Sequence, residues 1–216
     1  MPARTAVVAV HDRLARTLIL PNARDAHPPI GRLEVICGPM FAGKTTRLLH
    51  LLGAAQGEGL DVQAVKPALD NRYHATRITT HTGTWIDSHV IHAPDELARV
   101  QGDVVGLDEA HFFTEGLHRA VSALLERGTR VLLAGLDRTS MNEPFHEMGL
   151  LLVEADEVHK LTAPCAICGR PAVHTIRLFD STEPIVIGGE GMFENRCRAH
   201  LRSPRQQTGT PPPEAP

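Results

Sequence analysis

Gly38, Gly43, Lys44 and Thr45 stand at the spacing G-x-x-x-x-G-K-[ST] within Gly38-Pro39-Met40-Phe41-Ala42-Gly43-Lys44-Thr45-Thr46, and that combination can hold a triphosphate. The two glycines permit backbone angles that turn successive N–H groups inward, making a concave anion nest. A helix predicted to begin near Lys44 adds the positive end of its dipole. Lys44 can reach the β- and γ-phosphates, and the Thr45 hydroxyl can ligate Mg²⁺. Residues 38–46 are therefore the candidate nucleotide-binding set.

A second chemical pair closes the apolar run Val104-Val105-Gly106-Leu107 with Asp108-Glu109. In phosphate-loop enzymes an Asp at such a strand end holds the Mg²⁺ that bridges the phosphates, which assigns Asp108 to magnesium. A neighbouring Glu within hydrogen-bond reach can take a proton from an attacking hydroxyl or water, which makes Glu109 the candidate general base. Asp108-Glu109-Ala110-His111 also matches a helicase box. A helicase of that type requires a second nucleotide-binding lobe with an arginine finger and a basic strand channel. The chain has no room for the lobe after residue 160, and a net charge of -3 opposes the channel.

The third set is Cys165, Cys168, Cys197 and His200, spaced C-x₂-C and C-x₂-H with 28 residues between the halves. Each half places two ligands on one turn, and four together predict a closed, structural zinc site with no open position for hydrolysis. Zinc binding of this kind supplies roughly 10–16 kcal/mol to order a segment with little core of its own. The metal would staple the ends of the excursion Gly169–Arg196. A loop that long in a compact protein suggests a lid for a second substrate, and Gly188-Gly189 marks a turn in it. Cys37, on the first predicted strand, reads as a small buried hydrophobe.

The elements that must position these groups alternate short apolar runs with helical ones, the pattern of an α/β sheet. Strands are predicted at 33–37, 61–66, 89–92, 103–107 and 129–136. Helices are predicted from 44 to about 56, from Pro94, over 116–127, and weakly over 143–152. Residues 67–83 read as a polar stretch. We expect an N-terminal extension over 1–30, a phosphate-loop domain over 31–160, a zinc-binding domain over 161–202 and a disordered tail over 203–216.

Totals narrow the choice further. With 216 residues the chain can bury a full core as one large domain, or one domain plus a small appendage. The charge balance gives no footprint for a nucleic-acid partner, and no apolar run reaches the roughly 18 residues of a membrane span. The run TAVVAV is cut short by His11, Asp12 and Arg13, too soon for a secretory signal. The expected location is cytoplasmic, where four cysteines serve better as thiolate ligands than as disulfides.

Taken in order, the motifs resemble the type II thymidine kinases, a zinc-containing, phosphate-loop family, from about Gly31 to Leu201. Residues 38–46 are similar to the family's GPMFSGKTT, with Ala42 for Ser. Lys66-Pro67-Ala68-Leu69-Asp70-Asn71-Arg72-Tyr73 resembles its KPxxDxRY. Asp108–Phe113 resembles DE(A/G)QFF, with His111 for Gln, and Leu136-Asp137 with Pro144-Phe145 resembles LDxxFxxxPF. The resemblance implies an α/β fold of the phosphate-loop NTPase (RecA-like) type with a small C-terminal zinc-binding lasso domain. The implied activity transfers the γ-phosphate of ATP to the 5′-hydroxyl of thymidine, with deoxyuridine a weaker substrate.

By the same resemblance Glu109 is the catalytic base and Lys44 and Arg72 steady the transferring group. Thr45 and Asp108 would hold Mg²⁺. Substrate contacts are implied from Met40, Asp70, Phe112, Leu136, Phe145, Thr175, Gly188, Gly189 and Phe193. The lasso is expected to close on the base through backbone hydrogen bonds. Such kinases form homotetramers or homodimers. Three residues depart from the pattern: Ser140 for the first Phe of LDxxFxxxPF, Phe193 for a Tyr, and His111. None is expected to touch the phosphoryl chemistry; they bear on how the nucleoside is held. Two other readings remain: a nucleotide-binding paralogue with altered specificity or a sensor role, and a nucleic-acid-stimulated ATPase.

Overall fold

The computed structural model describes residues 30–70, 74–180, 186, 188 and 191–201. Its centre is a parallel six-stranded sheet. The strands are β1 (Arg32–Cys37), β2 (Val62–Pro67), β5 (His89–Ile91), β6 (Val104–Leu107), β7 (Arg130–Gly135) and β8 (Glu157–Lys160), in the spatial order β5-β2-β6-β7-β1-β8. Helices α1 (Lys44–Gly57), α2 (Leu117–Glu126) and α3 (His146–Glu154) connect them.

Because successive side chains on a strand point to opposite faces, each central strand feeds two cores. Leu33, Val35 and Cys37 of β1 join Val105, Leu107, Val131 and Leu133 beneath α2 and α3. Ile36, Leu132, Ala134 and Val104 join Leu48, Leu49 and Leu52 of α1 on the other face. Strands buried on both faces read as uninterrupted apolar runs, which is why 33–37, 103–107 and 129–136 stood out in the sequence. The helices predicted over 44–56, 116–127 and 143–152 correspond to α1, α2 and α3, and the segment opening at Pro94 is a 3₁₀ helix. There Glu96 accepts the His92 and Ala93 N–H groups and so caps the turn.

Three regions differ from the sequence expectation, the first being edge strand β8, which is not among the predicted strands. The polar stretch after β2 contains strand β3 (Arg77–Thr79), which pairs with β4 (Trp85–Asp87) as an antiparallel hairpin. Lys66, fully buried, holds its base by donating to the carbonyls of His74 at 2.8 Å and Arg77 at 3.3 Å. Beyond β8 lie two short antiparallel pairs: β9 (Ala163–Pro164) with β10 (Pro171–Ala172), and β11 (His174–Arg177) with β12 (Phe193–Arg196).

The loops at the carboxyl ends of β1, β2, β6 and β7 carry the motifs singled out above, where ligands bind in open α/β sheets. Of those candidates, Arg72 and Gly189 lie outside the described residues, as does most of the stretch 181–190 expected to close on the base.

Candidate active site

The phosphate loop joins β1 to α1 with three left-handed or extended positive angles, Gly38 (φ 141), Phe41 (φ 59) and Gly43 (φ 82). Gly38 is also required by proximity, since a Cβ there would stand 2.5 Å from the Leu161 carbonyl oxygen. Phe41 is the exception among these, because a side chain in the left-handed region costs roughly 1–2 kcal/mol. The Lys44 ammonium donates to the Pro39 carbonyl at 2.8 Å and is buried against its own loop.

Two distant strands buttress this loop. The Met40 N–H donates to the Thr175 hydroxyl at 2.9 Å, and the Met40 carbonyl accepts from the Asn195 amide at 2.9 Å. Thr175 in turn donates to Asn195 Oδ1 at 3.2 Å.

Asp108 meets the loop directly, accepting from the Thr45 hydroxyl at 2.9 Å and from the Glu109 N–H at 3.0 Å. Burial pushes the Asp108 carboxyl up, the Glu109 charge adds to it, and the Thr45 bond opposes both, leaving it at about 7. A divalent cation between Thr45 and Asp108 would favour the carboxylate form and draw that proton off. Glu109 itself has φ 50, a left-handed conformation for a non-glycine residue at the proposed reacting centre.

His111 corrects one expectation. Its Nδ1 lies 3.4 Å from Glu109 Oε2 and also 3.3 Å from the Leu136 N–H, which it can accept. Its ring stacks on Phe112 with centroids 4.5 Å apart and tilts against Phe145 at 5.1 Å. This departure from the family pattern therefore does reach the carboxylate proposed to move the proton. The sequence put His111 beside Glu109 but could not show which way its ring turned.

A cleft of about 1080 Å³, part of it open solvent, runs along these groups. Met40, Phe41, Gly43, Lys44, Thr45 and Thr46 line its loop side. Glu109, Phe112, Leu136 and Phe145 line the side at the ends of β6 and β7, and Thr175, Gly188 and Phe193 close it from the hairpin. The structure thus gathers in one place residues up to 153 positions apart in the chain (Met40 to Phe193). Gly38, Pro39, Ala42 and Asp108 stand behind the lining. Asp70 does as well, buried and paired with Lys66 at 3.4 Å.

Ser140 lines the cleft, and Phe193 packs edge-on against Phe179 at 6.0 Å. Sequence reasoning missed Thr79, Thr80 and His81, which the β3–β4 turn brings to the wall, and also Arg138, Thr139 and Arg177. Arg138 and Thr139 directly follow Leu136-Asp137, and that adjacency was the available signal. The β3–β4 turn is itself local, closed by the Thr80 N–H to the Thr84 carbonyl, but its placement against the cleft is a long-range feature for which the sequence offered no signal.

The four zinc candidates form a separate cluster whose ligand atoms all lie within 4.8 Å of one another. Ideal tetrahedral coordination puts sulfurs about 3.8 Å apart and sulfur and nitrogen about 3.6 Å apart. The observed separations are 3.8 Å for Cys168–Cys197, 3.8 Å for Cys165–His200 and 3.4 Å for Cys197–His200. The donor set and its spacing fit zinc. For Cys165, burial opposes the thiolate, but the backbone N–H groups of Cys197, Ile167 and Cys168, together with His200, outweigh it and leave the thiol at about 5. A thiol already inclined to ionise suits a metal ligand.

The family model described as thymidine kinase matches residues 31–201. Among curated relatives, a thymidine kinase of Bdellovibrio bacteriovorus is 38% identical over 175 residues, covering 80% of this chain and 86% of the relative. One of a Rhodothermus species is 38% identical over 178 residues, covering 82% of this chain and 84% of the relative.

Proposed function

The chain belongs to the thymidine kinase family, and from that premise we propose that it transfers the γ-phosphate of ATP to the 5′-hydroxyl of thymidine, with deoxyuridine as a weaker acceptor. In this reading residues 38–46 cradle the triphosphate and Lys44, with Arg72, steadies the group in transit. Mg²⁺, supported by Thr45 and Asp108 facing each other at 2.9 Å, neutralises charge on the phosphates when bound. Glu109 accepts the proton as the 5′-oxygen forms its bond to the γ-phosphorus and the bond to ADP breaks.

The observation that carries the proposal is the shared cleft, in which Lys44 and Thr45 face Glu109 across a space walled by Phe112, Leu136 and Phe145. A charged triphosphate end and a flat apolar end meet at one carboxylate, the layout a nucleoside kinase needs. Met40, Thr175, Gly188 and Phe193 complete the proposed nucleoside side, with Asp70 and Gly189 outside the described lining. Zinc on Cys165, Cys168, Cys197 and His200 is structural in this scheme and ties together the two ends of the hairpin domain, 161–202, which meets the kinase domain, 31–160, through the Thr175 and Asn195 bonds to Met40.

Assembly as a homotetramer or homodimer and a cytoplasmic location belong to the same proposal. The open edge strand β8, with Val158 exposed on it, and the exposed Val153 of α3 support assembly, since such an edge favours cover. No helix among the described residues is long and apolar enough to cross a membrane.

The experiment is an ADP-release assay over a panel of nucleosides. Thymidine should stimulate ADP formation and yield thymidine 5′-phosphate. Glu109→Gln should cut turnover by roughly two to four orders of magnitude while ATP binding stays close to native. Nucleoside-independent ADP formation, or full activity in that variant, would sink the assignment.

A further inference from the structure

Met40 is gripped at both ends of its backbone by side chains 135 and 155 residues away. Its carbonyl belongs to the peptide that precedes Phe41, so the Asn195 amide fixes the plane whose orientation sets the Phe41 φ of 59°. Without that grip a phenylalanine has every steric reason to leave the left-handed region. We propose that Asn195 is a positioning residue of the nucleotide site, holding the phosphate loop in its strained, binding-competent form through Met40, with Thr175 as the second anchor.

Three further observations support the assignment. Both anchors are buried, Thr175 at 6% and Asn195 at 7% exposure, so solvent does not compete for their polar groups. They face each other in the β11–β12 register and bond to each other, which locks both rotamers. The Asn195 backbone carbonyl accepts the Ala166 N–H at 2.8 Å, and Ala166 lies between the zinc candidates Cys165 and Cys168. The metal knuckle, the hairpin and the phosphate loop are therefore joined in a continuous chain of hydrogen bonds. In this arrangement the cysteine cluster acts on ATP through Asn195, at a distance from the reacting atoms.

The inference rests on the reading that residues 38–46 bind ATP, and the experiment separates the two. Calorimetric titration of the full, zinc-loaded protein with MgATP, without nucleoside, is run on wild type, Asn195→Ala, Phe41→Gly and the double variant. Asn195→Ala should weaken binding about 10- to 100-fold, the range for breaking a buried hydrogen bond and stranding its partners. Phe41→Gly removes the steric cost of the left-handed angle, so in that background the same change should weaken binding less than about threefold.

Native affinity in Asn195→Ala, or an equal loss in both backgrounds, would overturn the proposal, because a merely structural role predicts no relief by glycine. Should Asn195→Ala lose its zinc, Thr175→Val gives an independent test, keeping the volume and removing the hydroxyl. It should show the same weakening and the same relief, and unchanged affinity there is equally fatal. If wild type itself fails to bind MgATP, the phosphate-loop reading falls instead of the clamp.

Discussion

Gly106 decides how closely α1 can approach β6, and Gly106→Ala is the substitution that exposes this. The glycine sits mid-strand, paired with Ala64 and Leu132. A Cβ built there would stand 2.7 Å from both Leu52 Cδ atoms and 3.1 Å from Cγ. Ordinary carbon contacts lie at about 3.5–4.0 Å, so Leu52 or the whole helix must yield by close to 1 Å. Leu52 is completely buried in the cluster that holds Leu48, Ile36 and Ala64, so it cannot swing out to solvent without disturbing them. Overpacking of this kind costs about 1–3 kcal/mol. Alanine restricts the unfolded chain and returns about 0.4–1 kcal/mol, since the native backbone here suits any residue. The net loss spans about 0–2.6 kcal/mol, a fall in Tm of up to about 10 °C for a chain of this size.

The assay is a double-mutant cycle with Leu52→Ala, read by thermal or urea denaturation. Leu52→Ala alone should cost about 2–5 kcal/mol by leaving a cavity. In the double variant the added methyl enters that cavity, so the combined cost should fall short of the sum by at least about 1 kcal/mol. The same displacement should reach the site, because α1 begins with Lys44-Thr45 and β6 runs into Asp108. MgATP affinity should therefore drop several-fold in Gly106→Ala and recover in part in the double variant. Strict additivity in the cycle would refute the packing argument.

Three other outcomes follow from the geometry. Asp108 sits at about 7, so below that pH Mg²⁺ must displace a proton: apparent Mg²⁺ affinity should rise about tenfold per pH unit up to about 7 and then level. The native carboxyl keeps its proton in a window where the unfolded one has lost it, so stability should also decline as pH rises from about 4 to 7, and Asp108→Asn should flatten both profiles. Cys165→Ser should release the metal, measurable as zinc content, and should accelerate amide exchange at Ala166 and Asn195; native zinc retention would remove Cys165 from the ligand set. His111→Gln keeps an acceptor for the Leu136 N–H but gives up ring contacts with Phe112 and Phe145, a loss of about 1–2 kcal/mol, whereas His111→Leu should cost more by stranding that buried donor; equal stabilities would mean Nδ1 does not accept it.

The parts of the molecule that the sequence disclosed are those governed by local rules. β1, β6 and β7 are apolar throughout because helices cover both their faces, and the phosphate loop and Asp108-Glu109 are contiguous motifs. β8 escaped notice because Glu157-Val158-His159-Lys160 is an edge strand, largely exposed, with no apolar pattern to betray it. The β3–β4 hairpin was hidden for another reason: its position depends on the buried Lys66 ammonium finding two carbonyls, which composition does not encode. Asn195 carried even less signal. It lies two residues before Cys197, and its importance comes from a partner 155 positions away.

Two non-glycine residues in the left-handed region flank the reaction, Phe41 on the phosphate loop and Glu109 after β6. Neither conformation is one the residue adopts by preference, so each must be held by neighbours. Glu109 is held close to home: its N–H donates to the adjoining Asp108 carboxylate, and His111 lies against its side chain. For Phe41 the restraint on its preceding peptide arrives from β12, through Asn195, while β11 holds the Met40 N–H one peptide earlier. The asymmetry explains why the sheet alone does not finish this site. Its carboxyl ends carry the acidic pair with its local contacts, while the hydrogen bonds to Met40 of the phosphate loop come from the β11–β12 hairpin.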